Sequence, residues 1–296
     1  MDHIAPDLIA RCAALALQNG PDSRPGPTGV EGLSVVRAQS PQAMLPTIYQ
    51  PMICLVLQGA KEIRHRSSAV GFAAGETAIV SHELVTSARI TTASGALPYV
   101  ALAATIDPEI LRSIQAELPP EALQAARSEA VASGAAGRGV VDVMTRLLDL
   151  AGRPHEARIL LPLIRRELHL RALMSPHGGM LRELSVPGSP ASRIARAVAH
   201  IRANWNTPLR TQDLAELAGM SPSSFHEHFR AVTATSPIQY QKALRLHAAY
   251  QQLPGDHSVS AVAFAVGYES PTQFARDYRR AYGATPRDRM AAKISG

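Results

Sequence analysis

The sequence predicts an α+β chain in two parts. The N-terminal part is antiparallel β-structure with flanking helices, and the C-terminal part is all helical with two helix-turn-helix units. Three observations predict this. Short Val/Ile/Thr-rich runs punctuated by turn residues fill positions 33–106 and do not return after residue 192. The stretch GMSPSSFHEHFRAVTATSP, from Gly219 to Pro237, comes back as GYESPTQFARDYRRAYGATP, from Gly267 to Pro286, with one extra residue, Glu269. Phe225 and Phe229 are answered by Phe274 and Tyr278, and Ser221-Pro222 by Ser270-Pro271. Finally, residues 1–186 hold 17 Lys+Arg against 17 Asp+Glu and residues 187–296 hold 13 against 7, so the whole formal +6 lies in the C-terminal part.

The elements follow in chain order. Residues 6–19 read as an amphipathic helix, with Ile4, Leu8, Cys12 and Leu15 on one face and Gly20 beyond its end. NGPDSRPGPTGVEG is loop. The runs LSVVRA, MICLVLQG, KEIRHR, ETAIVS, TSARITT and PYVALAATI have the spacing of an antiparallel sheet or small barrel, about 30–107. Asp107-Pro108 opens a helix, an acceptor at the N-cap and proline in the first turn. An Ala/Gly-biased patch around 125–139 has no defined pattern, and helices are expected near 140–151 and 155–174. SVPGSPAS suggests a linker at 185–192 between a domain 1–184 and a domain 193–292. Six helices are expected in the latter, near 192–204, 211–218, 221–232, 236–253, 259–266 and 270–282.

Composition narrows the function classes. A length of 296 residues suits two domains, and 46% hydrophobic with 4% aromatic residues suits a soluble protein. The longest uncharged run, Ile90 to Ile106, is broken by Thr, Ser, Gly and Pro, so no membrane span is expected. Asp2, Asp7 and Arg11 spoil a signal peptide, and two cysteines give no disulfide framework, so a cytoplasmic site is expected. No phosphate-cradling or nucleophile-elbow motif occurs, and no cofactor is expected. His65 followed by Arg66 and Ser67, and His82 alone beside Glu83, do not make an HxH metal pair; His226 and His228 point about 200° apart on a helix.

A basic excess beside two helix-turn-helix units points to double-stranded DNA. In such a unit the first helix braces the second, whose exposed N-terminal face enters the major groove. Ala215, Ala218 and Ala263 permit close helix approach, and Gly219 and Gly267 serve the turns. With Phe225 facing the core, a helical wheel places Ser223, Glu227 and Arg230 opposite, with His226 at the edge. The second copy gives Thr272, Arg276 and Arg279, with Gln273 at the edge. Arg230, Arg279 and Lys242 are expected on phosphates.

These residues resemble the AraC/XylS family of bacterial transcription regulators, through DLAELAGMSPSSFHEHFRAVTATSPIQYQKALRLHAAYQQL and SVSAVAFAVGYESPTQFARDYRRAYGATPRDR. The resemblance implies seven helices, with the helix 236–253 joining the two units rigidly. It puts base-contacting positions at Ser223, His226 and Glu227 and at Pro271, Thr272 and Arg276, although Pro271 departs from the polar residue often found there. More loosely, YQPMICLVLQGAKEI, GETAIVSHELVTSARI, PYVALAATIDPEIL and LIRRELHLRALMSPHGGMLREL resemble the regulatory domain of a subgroup of that family. That likeness implies a cupin-like β-barrel sensing a small molecule, helices used for dimerisation, and RNA polymerase as a further partner. The alternative class is a cupin-type metal-dependent enzyme domain fused to a DNA reader.

Candidate effector contacts come from strand alternation and from scarce polar tips. Met52, Cys54, Val56 and Gln58 share one strand face, opposite Ile53, Leu55 and Leu57. Cys54 and Gln58 are therefore candidates, with Tyr49, His82 and Tyr99 beside them. Ile159, Leu160, Leu163, Ile164, Leu168 and Leu170 cover more than one stripe of the helix 155–174, so a two-fold homodimer along it is expected.

Overall fold

The computed structural model describes residues 4–19, 25–65, 68–119, 129–255 and 257–291. Part of the loop after Asn19, the Arg66-Ser67 pair and the start of the Ala/Gly patch lie outside those residues. The chain divides into two compact units. Along the chain the change falls between Ser189 and Pro190, with the short strand segments 45–48 and 85–87 grouped with the second unit.

The first unit opens with helix α1 (Pro6–Gln18), which buries Leu8 and Cys12. Ten strands follow among the described residues: β1 (Gly26–Pro27), β2 (Leu33–Ala38), β3 (Leu45–Tyr49), β4 (Met52–Gln58), β5 (Ala60–His65), β6 (Ser68–Ala73), β7 (Glu76–Val80), β8 (Leu84–Thr92), β9 (Tyr99–Thr105) and β10 (Val131–Ala135). They form a six-stranded sheet in the order β1-β2-β9-β4-β7-β10 and a four-stranded sheet in the order β3-β8-β5-β6. The pairs β1–β2, β2–β9, β9–β4, β4–β7, β7–β10 and β5–β6 are antiparallel.

The near-continuous apolar run of β4 is explained by its place inside the six-stranded sheet, buried on both faces. Ile53, Leu55 and Leu57 join a cluster with Leu8, Leu111, Met144, Leu168 and Leu181, all from helices. Cys54 and Val56 join a second cluster, with Ile63 and Phe72 from one sheet and Tyr99 and Ala101 from the other.

Helices α2 (Pro108–Glu117), α3 (Arg138–Asp149), α4 (Pro154–Met174) and α5 (Gly179–Ser185) complete this unit. The Asp107 carboxylate caps α2, accepting from the Glu109 N–H at 2.8 Å. Beyond the six strand runs and the expected helices, the structure adds β1, β3, β6, β10, α5 and, at Pro286–Ala291, a last helix, and two of these show why. Strand β10, ASGA-rich, has no pattern of its own and exists because its backbone completes the ladder on β7, with Val131 opposite Val80 and Ala135 opposite Glu76. Helix α5 has seven residues, too few to show a period, and is held by burial of Met180 and Leu181.

The second unit contains helices α6 (Pro190–Ala203), α7 (Thr211–Ala218), α8 (Pro222–Thr233), α9 (Pro237–Gln252), α10 (Val259–Ala265), α11 (Pro271–Tyr282) and α12 (Pro286–Ala291). Helix α6 starts two residues before the expected 192, because Pro190 fits a first turn. Four of these helices carry a serine cap: Ser221, Ser236, Ser258 and Ser270 each accept from a backbone N–H three residues on, at 3.1–3.3 Å.

Candidate nucleic-acid interface

Helices α7–α8 and α10–α11 are the two helix-turn-helix units. Gly219 stands at φ +63 after α7, and Gly267 at φ +82 after α10, the left-handed region that glycine enters without penalty. Each turn is also held from outside. Arg193 on α6 donates to the Gly219 carbonyl at 3.1 Å, and Arg245 on α9 donates to the Gly267 carbonyl at 2.8 Å. A serine cap and a first-turn proline then start each second helix. Phe225 and Phe229 lie fully buried with ring centres 5.5 Å apart, and Phe274 and Tyr278 repeat this at 5.7 Å.

That inward stripe turns the opposite face to solvent. Ser223, His226, Glu227 and Arg230 on α8 are all exposed, as are Thr272, Gln273, Arg276 and Arg279 on α11. Pro271 is half-buried in the first turn of α11, where it has no side-chain donor to offer. Beyond Arg276 and Arg279, α11 also exposes Arg280, so its outer face is markedly basic, whereas α8 mixes Glu227 with Arg230.

Lys242 does not take the expected place on phosphate. Its ammonium sits 2.9 Å from the Asp277 carboxylate, and Asp277 is only 4% exposed. A buried carboxylate on α11 needs a cation, and the joining helix supplies it. Arg245 is likewise structural, since it also donates to the carbonyls of Trp205 at 2.9 Å and Thr207 at 3.0 Å, and burial lowers its pKa. Gln241 adds bonds to the same two carbonyls, at 3.0 and 2.5 Å. So α9 grips the loop after α6 and the second turn together. Sequence reasoning missed these positioning residues. In a single sequence an arginine for a carbonyl looks the same as an arginine for a phosphate.

In the first unit, Tyr49, Cys54 and Tyr99 come together in the cluster between the two sheets, 7%, 5% and 1% exposed. Burial pushes the Cys54 thiol pKa up, so the group remains a thiol at neutral pH; Tyr99 lies within hydrogen-bonding reach of it. Gln58 and His82 use their polar atoms elsewhere. Gln58 donates to the Pro98 carbonyl at 2.6 Å, beside the irregular register near Val56, and His82 Nδ1 lies 2.9 Å from Ser81 Oγ. A residue not anticipated joins the cluster: the Lys61 ammonium is 5.2 Å from the Tyr49 ring centre. The alternation of β5 could have found it, because Ile63, two residues on, is completely buried. Among the described residues, no group of three or more His, Cys, Asp or Glu side chains is placed to hold a metal ion, and no helix is long and apolar enough to cross a membrane.

Comparison with known proteins agrees with this layout. Residues 29–180 match the family model described as AraC-type transcriptional regulator N-terminus, and residues 214–291 match a helix-turn-helix domain model. The HTH-type transcriptional regulator RipA of Corynebacterium glutamicum is 35% identical over 101 residues, 34% of this chain and 30% of that protein. The XylDLEGF operon transcriptional activator 2 of Pseudomonas putida is 31% identical over 110 residues, 36% of this chain and 69% of that protein. The chain spans about a third of the length of RipA and of the HTH-type transcriptional regulator ArgR of Pseudomonas aeruginosa, which it matches over 31%. These relatives are transcriptional regulators. Among solved structures, apo ToxT K231A from Vibrio cholerae shares the fold, with a TM-score of 0.61 over 92% of this chain and 99% of that one at 8% identity. Another ToxT structure, at TM-score 0.59 over 87% of this chain and 94% of that one at 7% identity, holds an unsaturated fatty acid.

Proposed function

Because the chain belongs to the AraC-type transcriptional regulators, we propose that it binds promoter DNA in a sequence-specific manner through α8 and α11 and regulates transcription in response to a small molecule, without catalysis of its own. One observation carries the DNA half of this reading: two helices with the same cap, turn and buried aromatic pair both turn hydrogen-bonding side chains to solvent. Ser223, His226, Thr272 and Gln273 are early enough in their helices to meet base edges, and Arg276 can pair bidentately with a guanine. Arg230 and Arg279, further along, serve phosphates. Glu227 accepts from a cytosine amino group or orients a neighbour.

The proposed division of labour is sensing and dimerisation in 1–184, a linker at 185–192 and DNA binding in 193–292. The solvent-facing apolar side chains of α4, Ile159 at 66% and Leu163 at 63% exposure, support a homodimer along that helix. A fatty acid in the ToxT fold supports an effector in the first unit. A cytoplasmic location and contact with RNA polymerase follow from the same reading.

The test is DNA binding by the full-length chain, measured by fluorescence anisotropy on its promoter and on scrambled DNA between low and physiological salt. Affinity for both is expected to fall steeply with salt, with the promoter tighter throughout. Flat salt dependence or equal affinity overturns the reading. A chain that sediments as a monomer at micromolar concentration overturns the dimer.

A further inference from the structure

The repeat continues past its last proline, and there the two copies part. Counting on from Pro237 and Pro286, Ile238 is answered by Arg287, Gln239 by Asp288 and Tyr240 by Arg289. In the first unit Tyr240 is fully buried, and its ring meets Phe229 edge-on at 6.0 Å. In the second unit α12 puts an arginine in that packed position and another where the first copy exposes Ile238. An arginine in an aromatic slot costs desolvation unless the guanidinium has something to hold.

The setting of Arg289 shows which of its groups are left over. Its guanidinium lies 4.1 Å from the centre of the Tyr250 ring; Tyr250 stacks on Tyr282 at 4.8 Å, and Tyr282 packs on Tyr278 at 4.6 Å. Tyr250 thus holds one face of the guanidinium and fixes the side chain without using its N–H groups. Nε is buried with no partner among the described residues, and so is the nearby Tyr278 hydroxyl. The two terminal nitrogens are not buried. No hydrogen bond or ion pair joins the side chain of Arg289, or of the exposed Arg287, to a described residue. Burial raises the pKa of Tyr278 and Tyr282, so both stay neutral phenols and offer no counter-charge. Asp288, the carboxylate of α12, turns back to Thr285, accepting from its N–H and its hydroxyl, both at 2.7 Å.

The place of α12 decides which partner reaches these two cations. The Asp288 carboxyl pKa is lowered first by Thr285 and then by the charge of Arg279, so the start of α12 lies beside Arg279. With Phe274 facing the core, Tyr282 falls at about 80° around α11 and Arg279 at about 140°. Helix α12 therefore flanks α11 on the Arg279 edge of its outward face. A helix lying in the major groove has a sugar-phosphate strand along each edge.

We propose that Arg287 and Arg289 form a phosphate clamp on the DNA strand bordering the groove that α11 enters, outside the bases read by α8 and α11. Arg289 donates from its terminal nitrogens to the oxygens of one phosphate while Tyr250 holds its face, and Arg287 takes a neighbouring phosphate. This rests on the reading that α11 enters DNA, and goes beyond it by adding a contact that carries affinity without sequence information.

The experiment is fluorescence anisotropy of the full-length chain on promoter and on scrambled DNA at several salt concentrations. Arg287→Ile and Arg289→Tyr install the residues of the first copy, the second keeping an aromatic in the slot. Each is expected to weaken binding to both DNAs alike and to reduce the slope of log affinity against log salt by about 0.9, the double variant by about 1.8. Urea midpoints from Trp205 fluorescence are expected to match the parent, and if Arg289→Tyr does not fold, the exposed Arg287→Ile decides. The proposal is overturned if a folded variant keeps the parent's slope, or if the loss falls on promoter DNA alone, which would make the arginine a base contact. A parent whose own affinity is flat with salt overturns the DNA reading itself, so the two failures are distinct.

Discussion

Replacing Gly267 with alanine is expected to damage the second helix-turn-helix far more than the same change at Gly219 damages the first. Both glycines have positive φ, so alanine pays the left-handed penalty of about 1–2 kcal/mol at either site, offset by about 0.4–1 kcal/mol from a less flexible unfolded chain. Around Gly219 the added Cβ meets only an Arg193 guanidinium nitrogen at 3.7 Å, an ordinary contact, so the net cost is about 1 kcal/mol. At Gly267 the Cβ falls 2.5 Å from the Asn206 carbonyl oxygen and 3.0 Å from the Arg245 guanidinium carbon. The backbone oxygen cannot swing aside, and moving Arg245 disturbs its bonds to Trp205, Thr207 and Gly267. Overpacking of that kind adds about 1–3 kcal/mol, for a total of about 2–4 kcal/mol. Trp205, the chain's single tryptophan, lies in the second unit and reports its unfolding by fluorescence. In urea, with a slope of about 1–3 kcal/mol per molar, the Gly267→Ala midpoint is expected to fall by roughly 0.3–3 M beyond the Gly219→Ala midpoint. Equal midpoints would refute the close-approach reasoning and leave only the shared φ cost.

Four other outcomes are expected. Ala234 holds φ +63 at the end of α8, where the second copy has Gly283, so Ala234→Gly is expected to raise the Trp205 midpoint by an amount equivalent to about 0.5–1 kcal/mol. Lys242→Ala leaves the Asp277 carboxylate buried without its cation and is expected to cost on the order of 3 kcal/mol in urea unfolding, while the salt slope of DNA binding stays unchanged. His169 accepts the Asp107 N–H at 2.7 Å, and burial lowers the pKa of both His169 and His247. In both, the folded state binds fewer protons than the unfolded one below the ordinary value of 6.5, so stability is complete above that pH and is lost as pH falls beneath it, which urea midpoints between pH 5 and 8 will register. On DNA, Arg276→Ala is expected to cost about 1–3 kcal/mol on the promoter and little on scrambled sequence, Glu227→Ala to reduce specificity without loss of affinity, and Arg230→Ala to weaken both DNAs alike; equal losses for Arg276→Ala would make it a phosphate contact.

Local patterns were enough for much of this protein. Two Ser-Pro helix starts, two turn glycines and two aromatic pairs at the same spacing specify paired helix-turn-helix units, because caps, turns and i, i+4 stripes are short-range features. The same stripes identified the outward faces of α8 and α11, since a helix that buries Phe225 or Phe274 must turn Glu227 or Arg276 away. Strand alternation divided β4 into the Cys54 and Leu55 faces, which lie in different clusters. Long-range pairing was decided only in the tertiary structure. Lys242 looked like a phosphate ligand until Asp277 was found beside it, and Arg245 had no assigned role until the Gly267 carbonyl was found in its reach. Strand β10 owes its existence to β7, and Lys61 meets the Tyr49 ring only because β5 and β3 share one sheet. The physical reason is that helix caps and amphipathic faces depend on neighbours within a few residues, whereas the partner of a buried charge is chosen by the fold, from residues that can stand anywhere along the chain.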